Sequence, residues 1–342
     1  MQLCRTVLAP GARSRGPSPV GRAWLCSPGY LQPTLRSGRG ARDSRFSLPI
    51  TEIDRPRPSD ITKSKLFQAV RSAPDMLKSD IRSFWDQGSA GEFWAVGSDA
   101  KARFLAEEKS RYQFEPFIPE FADFAAATDR VVLEIGVGMG CDHQQWARAR
   151  PRHLLGTDLS WRSVAYTRER FDLFDLKSDL VLTDCESLPL ASDCVDLVYS
   201  WGVVHHTPNT PQAIREIHRV LRPGGIAKVM IYHKWSLTGY MLWTRYGLLR
   251  GRPWCGLDHI YANFLESPGT KAYTVKEARQ LFGQFSDVRI AIQVNYGDLL
   301  QSEVGRRHRG LLLTIAKTLW PRWLVSRLLK RQGLYLLITA LK

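Results

Sequence analysis

Hydrophobic and polar residues alternate with two different periods along this chain. From about residue 60 to about residue 120, apolar side chains recur three and four positions apart, and this spacing predicts helices. From residue 131 onward, short apolar runs are separated by further helical patterns, and such runs predict strands. The predicted strands cover residues 131–135, 153–158, 179–183, 195–200, 226–232, 288–294 and 334–341.

Helical segments separate the first five predicted strands. Strands that are joined by helices form parallel sheets with right-handed crossovers and helices on both faces. The last two strands are predicted to pair as a hairpin around a long insertion. The sequence therefore predicts an α/β fold of the doubly wound type, with a mostly parallel seven-stranded sheet and one antiparallel strand near the C-terminus.

Other regions are set off from this alternation by their composition. Residues 1–50 are rich in Gly, Pro, Ser and Arg and predict a disordered or targeting-like basic segment. A transit peptide and an upstream extension from a misassigned start codon both stay open for this segment. Residues 51–120 predict a helical N-terminal cap on a domain of residues 121–342. Within that domain, residues 234–273 are an aromatic-rich insertion and predicted substrate lid, and residues 295–333 are a basic amphipathic insertion.

The net charge of +15 is concentrated at the two ends of the chain. Residues 1–50 carry eight Arg, no Lys and one Asp, and residues 301–342 carry nine basic residues and one acidic residue. Residues 51–300 balance 31 basic against 31 acidic residues. A nucleic-acid enzyme concentrates positive charge along its cleft, so this distribution argues against one. The C-terminal basic stretch is predicted either to pack on its own domain or to contact an anionic membrane surface peripherally.

Composition also limits the compartment and the metal content. No apolar run reaches the roughly 20 residues that span a bilayer. The six cysteines show no metal-site spacing, so no metal is predicted, and we interpret them as thiols in a reducing compartment. The predicted location is intracellular, with the cytoplasm favoured and the mitochondrial matrix as the alternative. The oligomeric state is left open.

The stretch VVLEIGVGMG ends the first predicted strand in three glycines, Gly136, Gly138 and Gly140. Glycines at such a turn let the backbone approach a ligand closely, and the following helix offers free N–H groups. A dinucleotide-binding loop would follow G-x-G-x-x-G, but residue 141 is Cys. A tight turn between strand and helix without a ligand is the alternative interpretation.

Acidic residues end the next two strands. Asp158 follows Gly136 by 22 residues and can accept two hydrogen bonds from the hydroxyls of a ribose, or cap the next helix. Asp184 ends the third strand, where a carboxylate can accept the exocyclic amine of an adenine.

Together with these residues, the motifs LEIGVGMG, GTDLS, TDCESLPL, DLVYSWGVVHHTPN and LRPGG identify a resemblance. From about Glu115 to His233 the chain resembles the class I S-adenosylmethionine-dependent methyltransferases of the type 11 group, which includes quinone-ring methyltransferases. The resemblance implies a Rossmann-like methyltransferase fold and S-adenosylmethionine as the cofactor. It implies nothing about the acceptor.

The resemblance also implies a donor site at the ends of the first four strands. Glu134, Gly136 and Gly138 would surround the methionine part of the donor. Ser200 and Trp201 would flank its methionine and sulfonium region. The ribose would be held by Asp158, and the adenine would be contacted by the residues Leu159, Asp184 and Cys185. A looser match adds two residues of the cap that would close over the donor, Arg111 and Tyr112.

His205 and His206 follow the fourth strand on the side where an acceptor must enter. Either could serve as a general base, because histidine titrates near neutral pH, or both could be structural. The N-P-P-[YFW] signature typical of amino-group methylation of adenine or glutamine is absent, which argues against DNA. The predicted reaction is methyl transfer to an oxygen or carbon of a small hydrophobic or aromatic acceptor. An RNA methyltransferase and a catalytically inactive binding module are the alternatives.

Overall fold

All seven predicted strands form one sheet in the computed structural model, which describes residues 78–301 and 320–342. The sheet order is β3-β2-β1-β4-β5-β7-β6, and β7 runs antiparallel to the other six strands. This confirms the predicted mostly parallel sheet. The strands are β1 Val131–Ile135, β2 His153–Asp158, β3 Asp179–Leu182, β4 Val195–Trp201, β5 Leu221–Tyr232, β6 Asp287–Gln293 and β7 Tyr335–Leu341.

Helices cover the sheet, and their limits follow local sequence signals. The sixth helix begins where the Asn209 side chain accepts a hydrogen bond from the Gln212 N–H (3.2 Å), with Pro211 in its first turn. The helices are α1 Lys78–Asp86, α2 Ala100–Phe114, α3 Ile118–Ala122, α4 Cys141–Arg148, α5 Trp161–Leu173, α6 Thr210–Val220, α7 Leu237–Tyr246, α8 Leu257–Phe264, α9 Val275–Leu281 and α10 Arg322–Leu328. Short 3₁₀ turns lie at Glu92–Trp94, Phe124–Ala127, Leu248–Arg250 and Lys330–Gln332.

The prediction of a helix between β3 and β4 is wrong. Residues 183–194 form turns, because Asp184 accepts a hydrogen bond from the Glu186 N–H (2.9 Å) and Pro189 has no N–H to continue a helix. Strand β5 also begins at Leu221, earlier than predicted. A register irregularity lets Leu221 pair with Val195 before the regular ladder resumes.

The strand directions bring the ends of several strands to one edge of the sheet. The parallel strands β1, β2, β4 and β5 bring their carboxyl ends to one edge, as open α/β sheets do at their ligand sites. Because β7 runs the opposite way, its first residue lies at that edge too, where Tyr335 pairs in register with Tyr232.

Parts of the predicted organisation lie outside the described residues, namely the segment 1–50, the first part of the cap and residues 302–319 of the basic insertion. Peripheral membrane contact by that insertion therefore stays a prediction. Among the helices of residues 78–301 and 320–342, none is long and apolar enough to cross a bilayer. The same residues contain no group of three or more His, Cys, Asp or Glu arranged to hold a metal ion.

Candidate active site

The loop after β1 has its three glycines in the left-handed region, with φ of 83° at Gly136, 55° at Gly138 and 77° at Gly140. A Cβ at Gly136 would lie 2.1 Å from the Val203 side chain, so that glycine is needed for packing. A Cβ at Gly138 would meet nothing closer than the Ala90 carbonyl oxygen at 3.9 Å. The loop therefore presents open space at Gly138.

Asp158 joins this loop to the end of β2. Its carboxylate accepts hydrogen bonds from the Gly138 N–H (3.1 Å) and the Ser160 N–H (2.9 Å). Burial raises the pKa of Asp158 to about 6, although these backbone donors oppose the rise. The carboxylate is thus ionised at neutral pH, beside the open space at Gly138 and next to the half-buried Leu159.

Glu134 lies on β1 and faces α4. Its Oε2 is 2.9 Å from Nδ1 of His143, whose Nε2 is 2.7 Å from the Ser178 hydroxyl. Burial, and then the charge of Asp142, raises the pKa of Glu134 well above its ordinary range. Burial lowers the pKa of His143 to about 3. The structure thus connects Glu134 to the helix after the glycine loop, and its contact with a donor stays a prediction.

Asp184 and Cys185 follow β3 in a turn. The Asp184 carboxylate forms an ion pair with Lys78 of α1, which also lies 2.5 Å from Glu186. Burial and the neighbouring acidic charges raise the pKa of the Cys185 thiol to about 12, so it stays protonated. Lys78 is not among the residues predicted from the sequence.

Helix α1 and the residues after it cover the loops that follow β1 and β2. The Ser160 hydroxyl donates to Asp86 (2.7 Å), and the hydroxyls of Ser89 and Ser163 are 3.0 Å apart. Sequence analysis missed these contacts because a short polar helix carries no signal for what it covers.

Arg111 and Tyr112, near the end of α2, converge on Asp142 in the first turn of α4. Arg111 donates from Nε (2.8 Å) and Nη2 (2.5 Å), and the hydroxyls of Tyr112 (3.0 Å) and Tyr199 (2.9 Å) donate to the same carboxylate. Burial alone would raise the pKa of Asp142, but Arg111 and these hydrogen bonds lower it. This arrangement joins α2 to the helix that follows the glycine loop.

Ser200 and Trp201 end β4. Ser200 is fully buried, and its hydroxyl has no hydrogen-bond partner among the described residues. The Trp201 ring lies 5.6 Å from that of Tyr335 and 6.1 Å from that of Phe117, and the Arg111 guanidinium lies 5.9 Å above it. An aromatic cluster therefore adjoins the end of β4.

The two histidines have different environments. Nδ1 of His206 is 2.8 Å from the Ser267 hydroxyl and 3.0 Å from the Thr270 hydroxyl, and its Nε2 is 3.3 Å from Glu266. Both ring nitrogens of the fully buried His205 have no hydrogen-bond partner among the described residues. Burial, and then the neighbouring His206, lowers the pKa of His205 well below its ordinary range.

Comparison with known proteins agrees with this geometry. Residues 133–229 match the family model described as a methyltransferase domain. This match includes the glycine loop and the acidic strand ends described above. Over these residues the chain is similar to class I S-adenosylmethionine-dependent methyltransferases.

Two curated relatives show how far the similarity to this methyltransferase domain extends. A malonyl-[acyl-carrier protein] O-methyltransferase from Pectobacterium atrosepticum is 38% identical over 96 residues, which are 28% of this chain and 36% of the relative. Phosphoethanolamine N-methyltransferase 2 from Caenorhabditis elegans is 30% identical over 118 residues, 34% of this chain and 26% of the relative. The chain thus matches about a third of these relatives' length.

One solved structure shares the fold. The geranyl diphosphate C-methyltransferase from Streptomyces coelicolor has a TM-score of 0.50 and 13% identity, and the match covers 79% of this chain and 99% of that one. At this identity the likeness concerns the fold alone.

Proposed function

We propose that this protein transfers a methyl group from S-adenosylmethionine to an oxygen or carbon atom of a small, hydrophobic or aromatic acceptor. The observation that carries the proposal is the open space at Gly138, which a Cβ would enter, beside the ionised Asp158. The buried Ser200 hydroxyl without a partner is a further polar group available to a ligand.

The residues present fit the donor. The glycine loop would hold its methionine part with Glu134, Ser200 and Trp201, and Asp158 would accept hydrogen bonds from the ribose. Asp184 and Cys185 would contact the adenine edge. When bound, the donor supplies a methyl group that its positively charged sulfur has already activated. The protein must therefore orient an acceptor, exclude water and accept a proton.

Aromatic side chains support a hydrophobic acceptor. Two aromatic rings lie near the histidines, in addition to Trp201 and Tyr335 near the end of β4. The Trp85 ring lies 5.5 Å from that of His206, and the Tyr232 ring lies 4.1 Å from that of His205. Aromatic walls with a few polar groups are typical of small-molecule sites. Within the predicted lid, by contrast, Trp235 and Trp254 are exposed, and Tyr246 stacks on Phe264 at 4.2 Å.

The base roles of His205 and His206 stay predictions. The contacts of His206 with Ser267, Thr270 and Glu266 suit a positioning residue, whereas both buried ring nitrogens of His205 lack a hydrogen-bond partner among the described residues.

Calorimetric titration of the full chain with S-adenosylmethionine tests the proposal. We expect saturable binding, and competition by S-adenosylhomocysteine. The absence of binding at about millimolar donor, in a folded protein, would contradict the proposed function.

A further inference from the structure

Two tyrosines that pair across the sheet each hold a carboxylate. Tyr232 ends β5 and Tyr335 begins β7, and their rings stack with centroids 6.0 Å apart at 14°. The Tyr335 hydroxyl donates to Oε1 of Glu115 (2.5 Å), and the Tyr232 hydroxyl donates to Oε2 of Glu266 (2.7 Å). We call these contacts the two Glu–Tyr pairs. They lie at the edge of the sheet that carries the donor-binding loops.

The two carboxylates differ in depth. Glu115, immediately after α2, is 2% exposed, whereas the Glu266 side chain is 40% exposed. The pairs therefore have an inner end at Glu115 and an outer end at Glu266. Trp201 packs against Tyr335 at the inner end, and His205 packs against Tyr232.

A second observation indicates a ligand at this place. His205 is fully buried, yet neither ring nitrogen has a partner among the described residues. A buried polar group without a partner costs free energy, and such groups in native proteins are normally satisfied by another group, water or a ligand. Its ring is 4.1 Å from that of Tyr232, so a ligand on the pairs would lie within its reach.

The charged residues around the two Glu–Tyr pairs favour a neutral ligand over an ion. An anionic group would face the carboxylates of both Glu115 and Glu266. An ammonium group on Glu115 would lie beside Arg111, whose Nη1 is 3.5 Å from Glu115 Oε2. A neutral hydroxyl carries no charge, so neither the carboxylates nor Arg111 repel it. It can also donate a hydrogen bond to the carboxylate of Glu115. If it loses its proton, Arg111 then stabilises the oxygen anion.

We propose that the two Glu–Tyr pairs bind a neutral aromatic acceptor through a phenolic hydroxyl, and that Glu115 accepts the hydroxyl proton. This inference rests on the proposed function. The O–H bond breaks and its proton moves to the Glu115 carboxylate, while the electron pair stays on oxygen. That pair forms the new O–C bond as the C–S bond breaks and leaves its electrons on sulfur. The proton later leaves Glu115 for water.

The surroundings of Glu115 suit proton exchange near neutral pH. Burial raises the pKa of Glu115 to about 7, while Arg111 and the Tyr335 hydroxyl lower it. The carboxylate form, which accepts the hydroxyl, therefore gains population as pH rises through about 7. The charged and titratable groups that face Glu115 are Arg111, Asp142, Tyr232, Glu266, Tyr296 and Tyr335.

Three probes of similar size test the ligand class without turnover. The full chain, saturated with S-adenosylhomocysteine, is titrated calorimetrically with 2-naphthol, 2-naphthoate and 2-naphthylmethylammonium at pH 8. We expect 2-naphthol to bind at least about tenfold more tightly than either ion. Tighter or equal binding of an ion, or no 2-naphthol binding at about millimolar concentration, would overturn the inference. Failure to bind S-adenosylhomocysteine would contradict the proposed function instead.

Variants locate the contact. Glu115→Gln should weaken 2-naphthol binding roughly ten- to a hundredfold, since a hydrogen bond to a charged group is lost. Glu120→Gln makes the same change at an exposed site on α3 and should have no effect. Unchanged affinity in folded Glu115→Gln would overturn the inference.

Tyr335→Phe distinguishes proton acceptance from a structural role. It removes a hydrogen bond that lowers the pKa of Glu115, so the pH at which 2-naphthol binding strengthens should move upward. His205→Asn should leave this pH dependence in place. If the dependence disappears in His205→Asn and persists in Glu115→Gln, the histidine is the proton acceptor and the inference is wrong.

Discussion

The proposed donor side and the proposed acceptor side of this protein are assembled in different ways. Gly138 and Asp158 lie one strand–helix–strand unit apart, and a hydrogen bond of 3.1 Å joins them. Glu115 and Tyr335 are in direct contact although 220 positions separate them in the chain. The donor side is thus a local product of consecutive parallel strands. The acceptor side depends on the whole sheet, because β7 must insert between β5 and β6 to bring Tyr335 there.

The largest expected effect is on the donor side, at Gly138. In Gly138→Val the branched side chain enters the open space and the φ of 55° becomes strained, so donor affinity should fall at least about a hundredfold. Calorimetry measures this loss. Gly224→Val is the matched control, because Gly224 has a φ of 77° and nothing within 4 Å of an added Cβ. If the control weakens donor binding equally, backbone strain and not lost space explains the effect.

Asp158→Ala should weaken donor binding by about 1.5–3 kcal/mol, roughly ten- to a hundredfold. Because the pKa of Asp158 is raised to about 6, wild-type donor affinity should increase as pH rises through that value. The variant should lose that dependence. A donor analogue without ribose hydroxyls provides the control, since it should bind wild type and variant alike. If the loss of binding free energy caused by the variant and the loss caused by the analogue add up when the two are combined, Asp158 does not contact the ribose.

Replacing either histidine by Asn tests which residue accepts the proton on the acceptor side. A general base contributes roughly 100- to 10,000-fold to turnover. Because we assign proton acceptance to Glu115, we expect each variant to lose less than about tenfold in turnover, with donor affinity unchanged. Steady-state rates with an identified phenolic acceptor measure this. A loss of about a hundredfold or more at His205 would restore the base role that the sequence suggested.

The smallest expected effect concerns Lys78, whose side chain is 43% exposed in its ion pair with Asp184. Exposed ion pairs contribute about 0.2–1 kcal/mol, so Lys78→Met should weaken donor binding by less than about fivefold. Lys109→Met, at an exposed position of α2, is the control. A loss above about tenfold at Lys78 alone would indicate that this lysine contacts the donor itself.

Sequence alone could predict the sheet and the proximity of Gly138 and Asp158 for a physical reason. Apolar runs indicate buried strands, and parallel connections bring the ends of consecutive strands together. Gly138 and Asp158 are therefore expected to be neighbours. The error between β3 and β4 arose because local hydrogen bonding by Asp184 competes with a helix.

The acceptor side could not be predicted in this way. Tyr335 looks like any other residue of an apolar strand, and Glu115 looks like a polar residue at the end of a helix. Their contact exists only because the antiparallel β7 places its first residue beside the last residue of β5. The aromatic-rich insertion was predicted as a lid from its aromatic residues. In the structure it also contributes the polar residues Glu266, Ser267 and Thr270 near His206.

The most direct test of this division compares Asp158→Ala and Glu115→Gln with two ligands by calorimetry, S-adenosylmethionine alone and 2-naphthol at saturating S-adenosylhomocysteine. We predict that Asp158→Ala weakens donor binding at least about tenfold and leaves 2-naphthol binding within about threefold. For Glu115→Gln we predict the reverse. If either folded variant weakens the binding of both ligands to the same extent, the donor and acceptor sides are not separate, contrary to this prediction.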